Sequence, residues 1–233
     1  MDTPTYAQRR GQIEQYFDRT AVAAWERLTS DAPVGRIRAS VRAGRDRMRA
    51  TLLSWLPGDL HGRRILDAGC GTGAFAVEAA RRGADVVAID LSPTLVNLAR
   101  QRMPEALGHG SIDFRSGDML DPVLGHFDHV VAMDSIIHYG TSDAVSALSR
   151  LAERTSASIV FTFAPRTPLL AVMISVGRLF PRADRAPWLN PMGADRLEEM
   201  RGHDRVLQSW QAGRTERVSS GFYKSQALEW MHP

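Results

Sequence analysis

Carboxylates, a run of glycines and one histidine stand where this chain could do chemistry. Ile65-Leu66-Asp67-Ala68-Gly69-Cys70-Gly71-Thr72-Gly73 passes from an apolar run into closely spaced glycines. Residues without a Cβ let the backbone turn sharply and approach a nucleotide-like ligand closely. Asp90 follows the next apolar run, and Ser116-Gly117-Asp118-Met119 follows the one after it. A carboxylate at the first place can accept hydrogen bonds from ribose hydroxyls, and one at the second can accept from an adenine amino group. A fourth run ends in Met133-Asp134-Ser135-Ile136-Ile137-His138-Tyr139. Cys70 lies inside the glycine loop and reads as a small tolerated residue.

These groups need a scaffold, and the hydrophobic pattern supplies one. Five short apolar runs alternate with helical segments, the sign of parallel βαβ units. Strands are expected at Arg64–Ala68, Asp85–Ile89, Ile112–Arg115, His129–Met133 and Ser158–Phe163. Ser92 as N-cap, with Pro93 at the first helical position, marks the clearest helix start. The order puts the glycine loop after strand one and the three further acid sites after strands two, three and four. Open α/β sheets bind ligands at the carboxyl ends of their strands.

Upstream, apolar residues at helical spacing predict a helix over 10–28 (Ile13, Tyr16, Phe17, Ala21, Ala24, Leu28). A second is predicted from Gly35 to Trp55, with Arg38, Arg42, Arg45 and Arg49 in a stripe beside its apolar face. That stripe is either a solvated face or a clamp for carboxylates. Downstream, Pro168–Pro181 is almost wholly apolar. A helix near Ala194–Gly202 and strands near Val206–Gln211 and Ser219–Tyr223 close the pattern. The expected division is a helical cap over 1–57 and one α/β domain over 58–233, with an inserted cover segment at 166–187.

With 233 residues and 44% apolar content, the chain suits one substantial core rather than a disordered polymer. Lys224 is the only lysine among 29 basic residues, so the basic surface consists of planar guanidinium forks suited to carboxylates and phosphates. The net charge of +3 favours acidic ligands or anionic surfaces without requiring them. Basic residues are not interleaved with stacking aromatics, which disfavours nucleic acid as a partner. One cysteine excludes an internal disulfide and suits a reducing compartment. No apolar signal core opens the sequence and no stretch reaches membrane-spanning length. The expected location is therefore cytoplasmic, with peripheral contact to the inner or photosynthetic membrane left open.

The glycine loop alone is ambiguous, because Gly69, Gly71 and Ala74 also satisfy a dinucleotide fingerprint. Asp67 separates the readings. An anion there would repel a pyrophosphate at the helix N-terminus, but it can meet the ammonium end of a methionine moiety. Together with Asp90 and Asp118 the pattern resembles a class I S-adenosylmethionine-dependent methyltransferase, a doubly wound α/β, Rossmann-like sheet, over roughly residues 60–165. The resemblance implies that Asp67, Gly69, Gly71 and Gly73 line the methionine side. It implies Asp90 and Leu91 at ribose and adenine, Asp118 with Met119 at the adenine edge, and Asp134 among the cofactor contacts.

The pieces outside the loop resemble the magnesium-protoporphyrin O-methyltransferases of chlorophyll and bacteriochlorophyll biosynthesis. They are MDSIIHY, Phe163-Ala164-Pro165-Arg166-Thr167, Tyr16-Phe17-Asp18 with Trp25, Gly177-Arg178-Leu179-Phe180-Pro181 and Gly221-Phe222-Tyr223. Ile136 departs from an expected leucine. The resemblance implies methyl transfer from S-adenosylmethionine to one propionate of magnesium protoporphyrin IX, with S-adenosylhomocysteine as co-product. His138 and Tyr16 would orient the propionate, and Arg166 and Tyr139 would contact the porphyrin. Pro168–Pro181 would be a cover flanked by Arg166, Arg178, Arg182 and Arg185, or else core, or a membrane contact. Magnesium would arrive inside the substrate, with no protein metal site, and magnesium chelatase subunits are candidate partners. Two rival functions stay open: an O- or C-methyltransferase of another small apolar acid or phenol, and a non-catalytic porphyrin carrier. Asn-Pro-Pro-Tyr and Asp-Pro-Pro-Tyr elements, which serve amino-group methylation, do not occur.

Overall fold

A computed structural model describes residues 10, 11, 13, 14, 35–167 and 189–233. Tyr16, Trp25, Pro168–Pro181, Arg178, Arg182 and Arg185 lie outside the described residues. Along the described chain run α1 (Arg36–Trp55), β1 (Arg64–Ala68), α2 (Ala74–Arg81), β2 (Asp85–Asp90), α3 (Pro93–Gln101), β3 (Ser111–Ser116) and β4 (Phe127–Ala132). After them come α4 (Thr141–Ala152), β5 (Thr155–Phe163), α5 (Ala194–His203), β6 (Gln211–Ser220) and β7 (Tyr223–Met231).

The strands form one sheet in the order β3-β2-β1-β4-β5-β7-β6. β1 to β5 pair in parallel, β7 runs antiparallel to β5, and β6 antiparallel to β7. Successive residues of the central strands feed opposite faces, as a two-residue side-chain period requires. Leu66, Val87, Val130 and Ile159 pack with α4 and α5, while Ile65, Val86, Val131 and Val160 pack with α1, α2 and α3. Helices on both faces make the sheet doubly wound, and both faces being dry explains why the central strands β1, β2, β4 and β5 are apolar for most of their length, whereas the edge strands β3 and β6 are largely exposed. On the α5 face Phe161 and Trp230 stack edge to face at 4.7 Å, and the indole Nε1 donates to Glu198 of α5 at 2.6 Å.

The chain end differs from the sequence pattern. Val206–Gln211 is mostly a tight 3-10 turn, because the Asp204 carboxylate accepts from the amides of Val206 and Leu207, each at 3.0 Å. Ser219–Tyr223 is centred on the β6–β7 reversal, where Ser220 pairs with Tyr223 around Gly221 at φ +52°. Strand propensity was visible there; the turn chemistry outweighed it.

Two placements matter for the site. β1 lies between β2 and β4, so the chain crosses over in opposite directions from it and leaves a crevice at the carboxyl ends. α1 docks against β7 through Gly44, where a Cβ would lie only 2.5 Å from the Tyr223 ring. That close approach swings Arg45 over the end of β4.

Candidate active site

Backbone amides shape one half of the crevice. The amides of Gly69 and Cys70 both donate to the Ile89 carbonyl, at 2.8 and 3.0 Å, tying the loop after β1 to the end of β2. Gly69 has φ +87°, and a Cβ on it would meet the Ser135 Cβ at 2.3 Å, so both the turn and the approach of β4 demand glycine. Asp90 closes the loop from the other side: its Oδ2 accepts from the Gly71 amide at 2.8 Å and its Oδ1 from the Ser92 amide at 2.9 Å. Burial raises the Asp90 carboxyl above its usual range, opposed by those amides and that of Leu91.

Beneath the loop, Asp67 is only 2% exposed and its Oδ2 has no hydrogen-bond partner. Burial first, then the charge of Asp90, pushes its carboxyl up to about 7, with the Ala76 amide pulling the other way. The Ser135 hydroxyl, at the other side of Gly69, is likewise buried and unpartnered. Buried polar atoms are normally satisfied. Of the two, Ser135 lines the cleft, where its hydroxyl suits a polar ligand such as the amino-acid end of S-adenosylmethionine.

At the β3 side, Asp118 takes the Leu120 amide on Oδ1 at 2.9 Å and an ion pair with Arg10 on Oδ2 at 2.8 Å. The β4 side is built from side chains instead. Asp134 is a non-glycine residue at φ +55°, a conformation an aspartate tolerates at a cost of about 1–2 kcal/mol. Arg45 pairs with its Oδ2 at 2.7 Å, and the Tyr223 hydroxyl donates to Oδ1 at 3.0 Å. Thr162 Oγ1 accepts the Asp134 amide at 2.8 Å and donates back to its Oδ1 at 3.2 Å. Burial, then the Asp134 charge, raises the Tyr223 phenol, so it stays a donor. Next, Asn190 fixes the 3-10 turn Ile136–His138, donating its amide to Ile137 O at 2.9 Å and its side-chain nitrogen to His138 O at 2.8 Å.

These elements enclose one cleft of about 700 Å³ including its mouth. Gly69, Gly71, Asp90 and Leu91 line one wall, Asp118 and Met119 the far end, and Asp134, His138 and Tyr139 the β4 wall. Asp67 and Gly73 do not line it. Asp67 lies under the loop, and Gly73 opens α2 with the Phe114 ring behind it. Arg166 is exposed beyond β5, its amide bonded to Met192 O at 3.0 Å, and is not on the cleft wall. Tyr16 is not described. The sequence pattern missed Ser135, Thr162 and Tyr223 as partners at the site. It marked Arg45 only as one of four arginines in a stripe, and the break in that stripe's role comes from Gly44 beside it.

The family profile of magnesium-protoporphyrin IX methyltransferase C-termini matches residues 132–232, and a methyltransferase-domain profile matches 65–157. Magnesium-protoporphyrin O-methyltransferase of Rhodobacter capsulatus is 49% identical over 226 residues, 97% of each chain. The chain belongs to the magnesium-protoporphyrin O-methyltransferase family. A family member from Synechocystis is 29% identical over 93% of this chain and 94% of its own. The crystal structure of magnesium protoporphyrin IX methyltransferase from Synechocystis PCC 6803 with bound S-adenosylhomocysteine superposes with a TM-score of 0.84. That match has 29% identity and covers 96% of this chain and all of that one. The sheet described above is the fold of these methyltransferases. Among the described residues no helix is long and apolar enough to cross a membrane, and no group of three or more His, Cys, Asp or Glu side chains could hold a metal ion.

Proposed function

We infer that the chain transfers a methyl group from S-adenosylmethionine to a propionate carboxylate of magnesium protoporphyrin IX, giving the monomethyl ester. The observation that carries this reading is a single cleft that joins the acids of β2 and β3 to the β4 turn bearing His138. Family membership across nearly the whole chain supports it.

S-adenosylmethionine, when bound, supplies a methyl group activated by its sulfonium. Asp90 offers carboxylate acceptors to ribose hydroxyls, Leu91 and Met119 give apolar contact, and Asp118 offers an acceptor to the adenine amino group. Gly69 and Gly71 admit close backbone approach, Gly73 sets the start of α2, and Asp134 stands at the methionine end. Asp67 lies beneath the loop, where the ammonium of the bound cofactor would favour its ionised form.

A propionate with an ordinary carboxyl value near 4.3 is ionised at neutral pH, so the chain need not supply a strong base. Its work is to strip water from the carboxylate and hold one oxygen in line with the methyl, roughly 3–3.5 Å away. His138, 5% exposed on a turn pinned by Asn190, is suited to orient that carboxylate by hydrogen bonding. Tyr16 shares that role in this reading, with Tyr139 and Arg166 as contacts for the porphyrin. The apolar run Pro168–Pro181 serves as the macrocycle's cover or as a peripheral membrane contact, and magnesium chelatase subunits are the candidate donors of the substrate.

Ultraviolet–visible titration of the protein with magnesium protoporphyrin, followed by mass detection, tests the reading. Saturable spectral change and gain of one methyl are expected. Binding without methyl gain would favour a carrier, and no binding would refute the acceptor.

A further inference from the structure

We propose that Asn190 is a positioning residue for the methyl transfer: by capping the turn that carries His138, it sets where the imidazole points. The proposal rests on the reading that His138 orients the propionate. Asn190 is not among the described residues lining the cleft, so its effect passes through the histidine.

The 3-10 turn Ile136–His138 is short, and the last carbonyls of a helical turn have no partner within it. Those of Ile137 and His138 are both taken up by one residue. The Asn190 amide donates to the first at 2.9 Å and its Nδ2 to the second at 2.8 Å. The entry to the turn is fixed as well. Ser135 stands so close to Gly69 that a Cβ on the glycine would meet its own Cβ at 2.3 Å, and Ile136 is fully buried. His138 therefore sits between a contact with the glycine loop and a cap supplied from 52 residues downstream.

Asn190 is in turn referenced to the sheet. Pro191 follows it, and a residue before proline is biased to extended backbone. Met192 is 1% exposed, in the same core cluster as Ile136 and Tyr139. Its amide donates to Ala164 O at 2.8 Å, and its carbonyl accepts the Arg166 amide at 3.0 Å. Residues 190–192 thus clasp the chain leaving β5 to the His138 turn. A misplacement of about 1 Å at a reacting centre can cost about a hundredfold in rate, so a cap outside the cleft bears on turnover.

The test compares wild type, Asn190→Ala, Asn190→Asp, His138→Ala and the variant carrying both alanines, each verified as folded by circular dichroism. Asn190→Ala deletes the bond to His138 and spares the backbone bond to Ile137. Asn190→Asp keeps the volume but sets an acceptor against the His138 carbonyl. Both should lower kcat about ten- to a hundredfold, with the KM for magnesium protoporphyrin and the Kd for S-adenosylhomocysteine unchanged. In histidine-labelled protein studied by nuclear magnetic resonance, the imidazole signal that His138→Ala deletes should shift in both Asn190 variants. The other six of the seven histidines should keep theirs. Added to His138→Ala, Asn190→Ala should lower kcat no further.

Additive losses, an unmoved His138 signal, or a loss that falls on KM or cofactor affinity instead of kcat would overturn the proposal. Wild-type turnover in His138→Ala would instead refute the reading of His138 itself, and with it any catalytic need for the cap, whatever the imidazole signal shows.

Discussion

Asp90 and Asp134 both sit at the carboxyl end of a central strand, yet they are held in opposite ways. Asp90 is held by backbone amides, from Gly71 of the loop after β1 and from Ser92 of its own turn. Asp134 is held by side chains of Arg45, Thr162 and Tyr223, drawn from α1, β5 and β7. The first arrangement follows from a local backbone shape that many sequences can adopt. The second exists only if distant elements dock correctly, so it carries what is particular to this chain. The difference predicts that the loop half tolerates side-chain changes but not backbone ones, with the reverse on the β4 side.

The largest effect should come from the backbone. Gly69→Ala combines a left-handed φ with a 2.3 Å clash against Ser135 and should cost about 3–5 kcal/mol by urea unfolding. Gly44→Ala, with normal helical φ, should cost only about 1–3 kcal/mol but displace Arg45 from Asp134. Equal costs would erase the distinction between the halves.

Side-chain removal should act the other way round. Asp134→Ala removes the buried carboxylate that Arg45 and the Tyr223 hydroxyl both bind, and about 2–4 kcal/mol of stability should be lost. Asp90→Ala should leave the fold standing while weakening S-adenosylmethionine by about 1.5–3 kcal/mol in calorimetry. Unchanged cofactor affinity would remove Asp90 from the site. His138→Ala should slow turnover about a hundredfold with cofactor affinity near wild type; a barely altered rate would leave that histidine a packing role.

The smallest expected effect is a matter of pH. Between 3.8 and about 7 the folded chain keeps a proton on Asp67 that the unfolded chain has released. Stability therefore falls as pH rises through that window and stays low above it. Asp67→Asn should match wild type near pH 4 and exceed it at pH 8, by on the order of 1–3 kcal/mol, at the expense of cofactor affinity. Thermal unfolding at the two pH values, with no divergence between the proteins, would show that the buried carboxyl is not strained.

The same contrast explains what the sequence disclosed. Strands β1, β2, β4 and β5 were legible because parallel strands buried on both faces write apolar runs, β3 from the shorter alternation of an edge strand, and the helix start from the Ser92 cap with Pro93 behind it. The acids after them followed from strand order alone. Tyr223 was not legible as an Asp134 partner, since it lies 89 residues away in a strand placed one turn too early. Nor does composition distinguish Arg45 from Arg42. Only the packing of Gly44 on Tyr223 selects it.

The central claim is that the cleft methylates a porphyrin propionate, using the disc to orient the reacting group. Energy from binding the remote macrocycle should raise turnover as well as affinity. The direct measurement is a competition in one vessel: labelled S-adenosylmethionine, magnesium protoporphyrin and a panel of simple acids and phenols, with products resolved by mass. One dominant monomethyl porphyrin ester, with the small acids almost untouched, is the expected result. A dominant methylated phenol or simple acid, with no porphyrin ester, would contradict it.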